Sequence, residues 1–183
     1  THRPRRGRVP RRRAARGVQH SHFPHHTFAQ AQCAAGIAIA ELLVARHAAD
    51  PDRLRFLVPV HTRVKVAEAV ERLADADVVG VSCYVWNENL SLAIARALKA
   101  RNPRVRIVFG GPQVPDRAEA WLRANPCVDL AVHGEGEQVF LQVLERLPDG
   151  VLDGVPSTSR LAPDGTCVTT PRAARIADLA TVP

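Results

Sequence analysis

From about residue 34 the apolar positions follow two alternating rhythms, short unbroken runs and helical spacings. AAGIAIAELLVARHA sets Ile39, Leu42 and Leu43 on one helical face. RLRFLVPV (53–60) is a short apolar run suited to a buried strand, and Val66, Ala69, Val70 and Leu73 then recur at i, i+3, i+4 and i+7 as in an amphipathic helix. DVVGVSC (77–83) is a β-branched run that predicts a second buried strand. Leu90, Ile94, Ala97 and Leu98 carry a helix that Asn102-Pro103 ends, because the residue before proline disfavours the helical conformation. RVRIVFGGP (104–112) runs as a strand straight into a double glycine, and Asp116 with Glu119 predicts a capping-box start for a helix carrying Ala118, Trp121 and Leu122. VDLAVHGEGE (128–137) is a further apolar run ending in glycines, followed by a helix bearing Val139, Phe140, Val143, Leu144 and Leu147.

Strands apolar on both faces, alternating with helices, predict an α/β fold: a doubly wound parallel sheet covered by helices on both sides. After Gly150 the rhythm breaks, and STSRLAPDGTCVTT predicts a short C-terminal β-hairpin turning at Pro163-Asp164-Gly165, then a connector to Pro183. A flavodoxin-like sheet of this type places its first strand centrally. Here that strand must precede residue 34, where HTFAQAQC (26–33) is a poor candidate with two glutamines. Either the first strand is degraded or the chain's first thirty or so residues are not the domain's own start. The expected division is a disordered basic leader at 1–32, a globular domain at 33–150 and the hairpin with its connector at 151–183.

Charge sharpens that division. The chain has 183 residues, 25 Lys+Arg, 18 Asp+Glu and a net charge of +7. Arg3, Arg5, Arg6, Arg8, Arg11, Arg12, Arg13 and Arg16 precede the first acidic residue, Glu41, so 17 basic residues remain against all 18 acidic ones. The basic character belongs to a tail, which disfavours a fold with a nucleic-acid-binding face. There is no methionine, and the chain starts at Thr1; together with the leader this reads as a fragment or a processed chain. Cys33, Cys83, Cys127 and Cys167 lie 50, 44 and 40 residues apart, which suits separate reduced thiols rather than a metal cluster or disulfide framework. No stretch approaches the about 20 apolar residues of a membrane span, and no signal peptide is recognisable. Cytoplasmic is the expected location.

In an open α/β sheet, ligands bind beyond the carboxyl ends of the strands. Three strand ends carry distinctive loops. Ser82-Cys83-Tyr84-Val85-Trp86-Asn87-Glu88-Asn89 puts an aromatic pair and two amides between a strand and a helix N-terminus. Gly110-Gly111-Pro112 lets a ligand approach bare backbone. Gly134-Glu135-Gly136-Glu137 feeds a helix N-terminus, whose free N–H groups favour anionic oxygens. Each is weak alone: a Gly-Gly-Pro can be only a tight turn, a Tyr-x-Trp pair can merely cover a sheet end, and no third glycine completes a dinucleotide fingerprint.

Taken together, DVVGVSCYVWNENLSLAIARALK, NPRVRIVFGGPQVPD and VDLAVHGEGEQVFLQVLE closely resemble the N-terminal cobalamin-binding domain of cobalamin-dependent radical S-adenosylmethionine enzymes, over roughly residues 34–150. The hairpin and ARIADLATVP resemble that family's connector to its radical domain. The resemblance implies a Rossmann-like sheet with cobalamin at its C-terminal edge, the nucleotide tail in the glycine-lined cleft and the corrin over the strand ends. It implies Ser82, Cys83, Tyr84, Val85, Trp86, Asn87, Gly110, Gly111, Pro112, Gly134, Glu135 and Gly136 as cofactor-facing positions, with Tyr84 and Trp86 near the lower corrin face or its rim. In the family the cofactor commonly passes a methyl group to a substrate held by the partner domain.

Two departures bear on this. DLAVHG (129–134) has the wrong spacing for the DxHxxG motif that supplies a cobalt-binding histidine in another cobalamin-domain class, so His133 is expected beside the cleft and not on the metal. The CxxxCxxC motif that holds the family's 4Fe-4S cluster is absent, so neither the cluster nor S-adenosylmethionine is expected on this chain, and no catalytic residue is assigned. Two rival readings stand beside this one. One is a nucleic-acid-binding module using the arginine tail, which deletion of residues 1–26 would expose. The other is a nucleotide-dependent α/β enzyme with Glu135 and Glu137 as its available acids.

Overall fold

In a computed structural model of the chain, the described residues are 26–31, 45, 47–146 and 152–174. The basic segment at 1–25, most of the helix expected at 34–49 and the end of the connector lie outside them.

A single seven-stranded sheet organises the fold, in the order β2-β1-β3-β4-β5-β6-β7. Its strands are β1 (His26–Ala31), β2 (Leu54–Phe56), β3 (Val78–Ser82), β4 (Arg106–Gly110), β5 (Leu130–Val132), β6 (Thr158–Leu161) and β7 (Cys167–Thr169). The first five pair in parallel, whereas β6 and β7 add antiparallel at one edge. Between them run α1 (Val66–Leu73), α2 (Glu88–Arg101), α3 (Glu119–Ala124) and α4 (Glu137–Arg146). This is the expected Rossmann-like, doubly wound α/β sheet with its C-terminal hairpin.

The alternation of the strands explains how both faces are covered. Val79, Val81, Ile107, Phe109 and Ala131 pack with α1, α2 and α3 residues such as Leu73, Leu98 and Leu122. Their neighbours Val78, Val108, Leu130 and Val132 point the other way, onto Val139, Val143 and Leu144 of α4. A period of two splits each apolar run between two cores, so no strand face is left for polar residues. Trp121 joins α3 to the sheet and to α2: its ring meets Phe109 edge-on at 5.6 Å, and its indole N–H donates to Glu88 at 3.1 Å.

Three expectations need correction. The leader drawn at 1–32 overlaps a real strand: His26–Ala31 is β1, hydrogen-bonded in parallel to β2 on one side and β3 on the other. Backbone pairing on both edges satisfies its N–H and C=O groups, and that requirement does not depend on the side chains being apolar. The run 53–60 is a strand only at Leu54–Phe56, pairs on one side alone, and exposes Val58. Pro59 cannot donate to a ladder, so the run cannot continue as one. The capping box does not form at α3: its N-cap is Ala118 with no side-chain cap bond, and Asp116 instead accepts from Arg172.

The hairpin turn forms as expected. Gly165 takes a φ of 82°, which suits glycine, and Asp164 Oδ1 accepts from the Thr166 N–H at 2.9 Å. Asn102 adopts an extended conformation at the end of α2, ahead of Pro103.

Candidate functional site

Strand order reverses between β1 and β3, since β2 lies to one side of that pair and β4 to the other. Because β3, β4 and β5 are parallel neighbours, their C-terminal loops meet at one edge beside this switch point. Parallel pairing therefore gathers the three loops picked out in the sequence.

The first loop is held by Asn87, which is only 4% exposed. Its Nδ2 donates to the Ser82 carbonyl at 2.8 Å, and its Oδ1 accepts from the Tyr84 N–H at 2.8 Å. The Tyr84 carbonyl accepts from the Asn87 and Glu88 N–H groups, tying the loop to the first turn of α2. Asn87 is thus an internal brace. Cys83 is fully buried in the core, and burial pushes its thiol up to about 12; at this edge it offers backbone only. What the loop presents outward is Val85 and Trp86, 73% and 76% exposed. The Trp86 ring stacks on Tyr84 with centroids 4.6 Å apart and planes 14° from parallel. An exposed tryptophan beside an exposed valine is costly in water, and large exposed apolar groups at a loop tip mark contact surfaces.

The second loop is laced to the first. The Cys83 N–H donates to the Gly110 carbonyl at 2.6 Å, and the Gln113 N–H donates to the Cys83 carbonyl at 3.2 Å. Gly111 has a φ of 106°, and a Cβ there would stand 2.6 Å from the Cys83 carbonyl oxygen. Only glycine fits.

The third loop follows His133. This residue is 4% exposed; its Nε2 lies 2.8 Å from Ser159 Oγ on β6, and Ser159 Oγ lies 2.9 Å from Thr169 Oγ1 on β7. Burial lowers its pKa below the usual imidazole value, Arg172 acts in the same sense, and Asp116 opposes it. The ring is held in the wall behind the loop. Asp129 sits at the opposite end of β5, bonded to Lys99 at 2.7 Å and to the Ile107 N–H at 2.7 Å. The two residues of DLAVHG are therefore separated by the length of a strand.

Gly110 and Gly136 present bare backbone at the edge. A Cβ on either would meet only Val132, at 3.7 and 3.9 Å. Bare backbone at Gly110 and Gly136, next to the exposed Val85 and Trp86, leaves a bulky flat cofactor such as cobalamin able to lie against the strand ends. The B12 binding domain model matches residues 25–144.

The chain belongs to the B12 binding domain family.

The match begins at the foot of β1, in keeping with that strand being part of the domain. The B12 binding domain is 44% identical over 95 residues to 2-(S-pantetheinyl)-carbapenam-3-carboxylate methyltransferase from Streptantibioticus cattleyicolor, which is 51% of this chain and 14% of that protein. It is 41% identical over 95 residues, with the same coverage, to the cobalamin-dependent radical SAM methyltransferase TokK of Streptomyces tokunonensis. The cobalamin-dependent S-adenosylmethionine radical enzyme OxsB, solved with aqua-cobalamin bound, superposes with a TM-score of 0.66 at 15% identity, over 87% of this chain and 24% of that one. The last likeness shows a shared fold. The chain spans about a seventh of the length of these curated relatives.

Among the described residues no cluster of three His, Cys, Asp or Glu side chains could hold a metal ion, and none of their helices is long and apolar enough to cross a membrane. Sequence reasoning missed Ser157 and Arg172, which reach the same edge from the hairpin and its connector. No local pattern marks either one.

Proposed function

We propose that this chain is the cofactor domain of a larger cobalamin-dependent radical S-adenosylmethionine methyltransferase and holds cobalamin at the C-terminal edge of its sheet. The observation that carries the reading is the meeting of the Ser82–Asn87, Gly110–Pro112 and Gly134–Gly136 loops at one edge, beside the exposed Trp86 stacked on Tyr84. In this reading Tyr84, Val85 and Trp86 form the apolar platform against the corrin. Gly110, Gly111, Pro112, Gly134, Glu135 and Gly136 admit the nucleotide tail along bare backbone, while Ser82, Cys83 and Asn87 hold the platform at its height.

When bound, cobalamin supplies a cobalt centre able to carry a methyl group between donor and acceptor. The residues of this chain bind and orient it and keep water from its buried side. The relatives' far greater length supports a separate domain bearing the 4Fe-4S cluster, S-adenosylmethionine and the substrate, normally in the same polypeptide. Free Cys83, Cys127 and Cys167 support a reducing compartment, the cytoplasm.

The test is direct. The purified chain is mixed with hydroxocobalamin, unbound pigment is removed by gel filtration, and the retained corrinoid is read by absorbance. One cofactor per chain is expected. A folded protein that emerges colourless overturns the reading.

A further inference from the structure

Three backbone segments meet at Ser157. Its carbonyl accepts from the His133 N–H at 2.8 Å, and its N–H donates to the Pro171 carbonyl at 2.7 Å. Its Oγ accepts from the Ala173 N–H at 2.7 Å. Ser157 is buried and has a φ of 57°, a left-handed conformation that non-glycine residues rarely adopt. The three bonds hold it there. Their effect is to strap residues 171–173 across the exit of β5.

The side chain between the two tethered positions belongs to Arg172. Its Nη2 donates to Asp116, in the loop after β4. Its Nη1 is packed so closely on Gly134 that a Cβ there would lie 3.3 Å away. Arg172 therefore bridges the second and third strand-end loops. As a fold-stabilising pair it contributes little, because the two side chains are 47% and 82% exposed and such pairs are solvent-screened. In the same cluster the Nδ1 of His133 is buried without a hydrogen-bond partner.

We propose that Arg172 is a cofactor-binding residue that recognises the phosphodiester of the cobalamin nucleotide tail. This rests on the cofactor reading above. The amides of the corrin periphery are neutral, and the phosphodiester is the anion of the organic framework. A guanidinium presents paired donors to such a group, and the Gly134–Gly136 loop on which it lies opens α4, whose first N–H groups favour the same charge while the Glu137 carboxylate of that turn opposes it. Asp116 is the resting partner: being mostly exposed, it returns to water at small cost when phosphate takes the guanidinium.

The experiment compares two corrinoids on the full chain, cyanocobalamin and dicyanocobinamide, the latter lacking both phosphate and nucleotide. Arg172→Gln is expected to weaken cobalamin binding about tenfold, the loss of one charge-assisted hydrogen bond, and to leave cobinamide affinity unchanged. Arg172→Lys should recover part of the loss, and raising salt should narrow the wild-type preference for cobalamin. Equal losses for both corrinoids, or no loss for either, overturn the proposal, with the cobinamide affinity and the thermal midpoint reporting whether the variant is intact. If the folded wild-type chain takes up neither corrinoid, the cofactor reading itself fails and this proposal falls with it. If it binds both and Arg172→Gln changes nothing, only the role of Arg172 fails.

Discussion

Gly111 and Cys83 stand so close that a methyl group on the glycine would lie 2.6 Å from the Cys83 carbonyl oxygen and 3.0 Å from its nitrogen. Two strand-end loops are thereby joined backbone to backbone. Gly111→Ala should cost about 3 kcal/mol, since it adds this clash to a backbone conformation that side chains rarely adopt. Urea denaturation measures that loss, and corrinoid uptake should fall with it because both loops line the proposed cofactor edge.

Trp86 separates binding from folding. Being mostly exposed, it contributes little to the core, so Trp86→Ala should change stability by only about 1 kcal/mol, the scale of its stacking on Tyr84. Cobalamin affinity should fall about tenfold, the equivalent of roughly 1.4 kcal/mol. A titration showing unchanged affinity counts against the platform role.

Asn87 tests the brace beneath that platform. Asn87→Ala leaves the Ser82 carbonyl and the Tyr84 N–H without their side-chain partners, at about 1–3 kcal/mol. Thermal unfolding should show the loss. Asn87→Asp should not restore the wild-type midpoint, because a carboxylate cannot donate to the Ser82 carbonyl.

His133 makes stability pH-dependent. Burial lowers its pKa in the folded state below the ordinary value of 6.5, so the unfolded chain binds the proton more readily. Its contribution is fully present above that ordinary value and is lost as pH falls through the folded value. Urea midpoints at pH 7.5 and 5.5 should therefore differ more for the wild-type chain than for His133→Gln.

The Cys83 thiol, pushed up to about 12 by burial and the Glu88 charge, should resist iodoacetamide at pH 8 in the native protein and react after unfolding. Peptide mapping by mass spectrometry reads the difference.

Much of this was legible in the residue order. Val78–Ser82, Arg106–Gly110 and the helices between them follow from hydrophobic period, because a strand buried on both faces and a helix buried on one leave different local patterns. The three candidate loops were legible for the same reason, as the places where those patterns stop. Even so, Cys83 and Asn87 could not be told from ligand-facing residues until packing turned one into the core and the other onto Ser82 and Tyr84.

By itself, then, the sequence determined which segments become strands and helices in the α/β core from α1 onward, and which loops punctuate them, since those depend on neighbours a few positions apart. Tertiary structure alone decided that His26–Ala31 is a central strand, since its membership depends on backbone partners supplied by Leu54–Phe56 and Val78–Val81. It alone carried Arg172 to Gly134 and Asp116. Contacts across 38 and 56 positions come from chain closure through Ser157, and no local pattern encodes them.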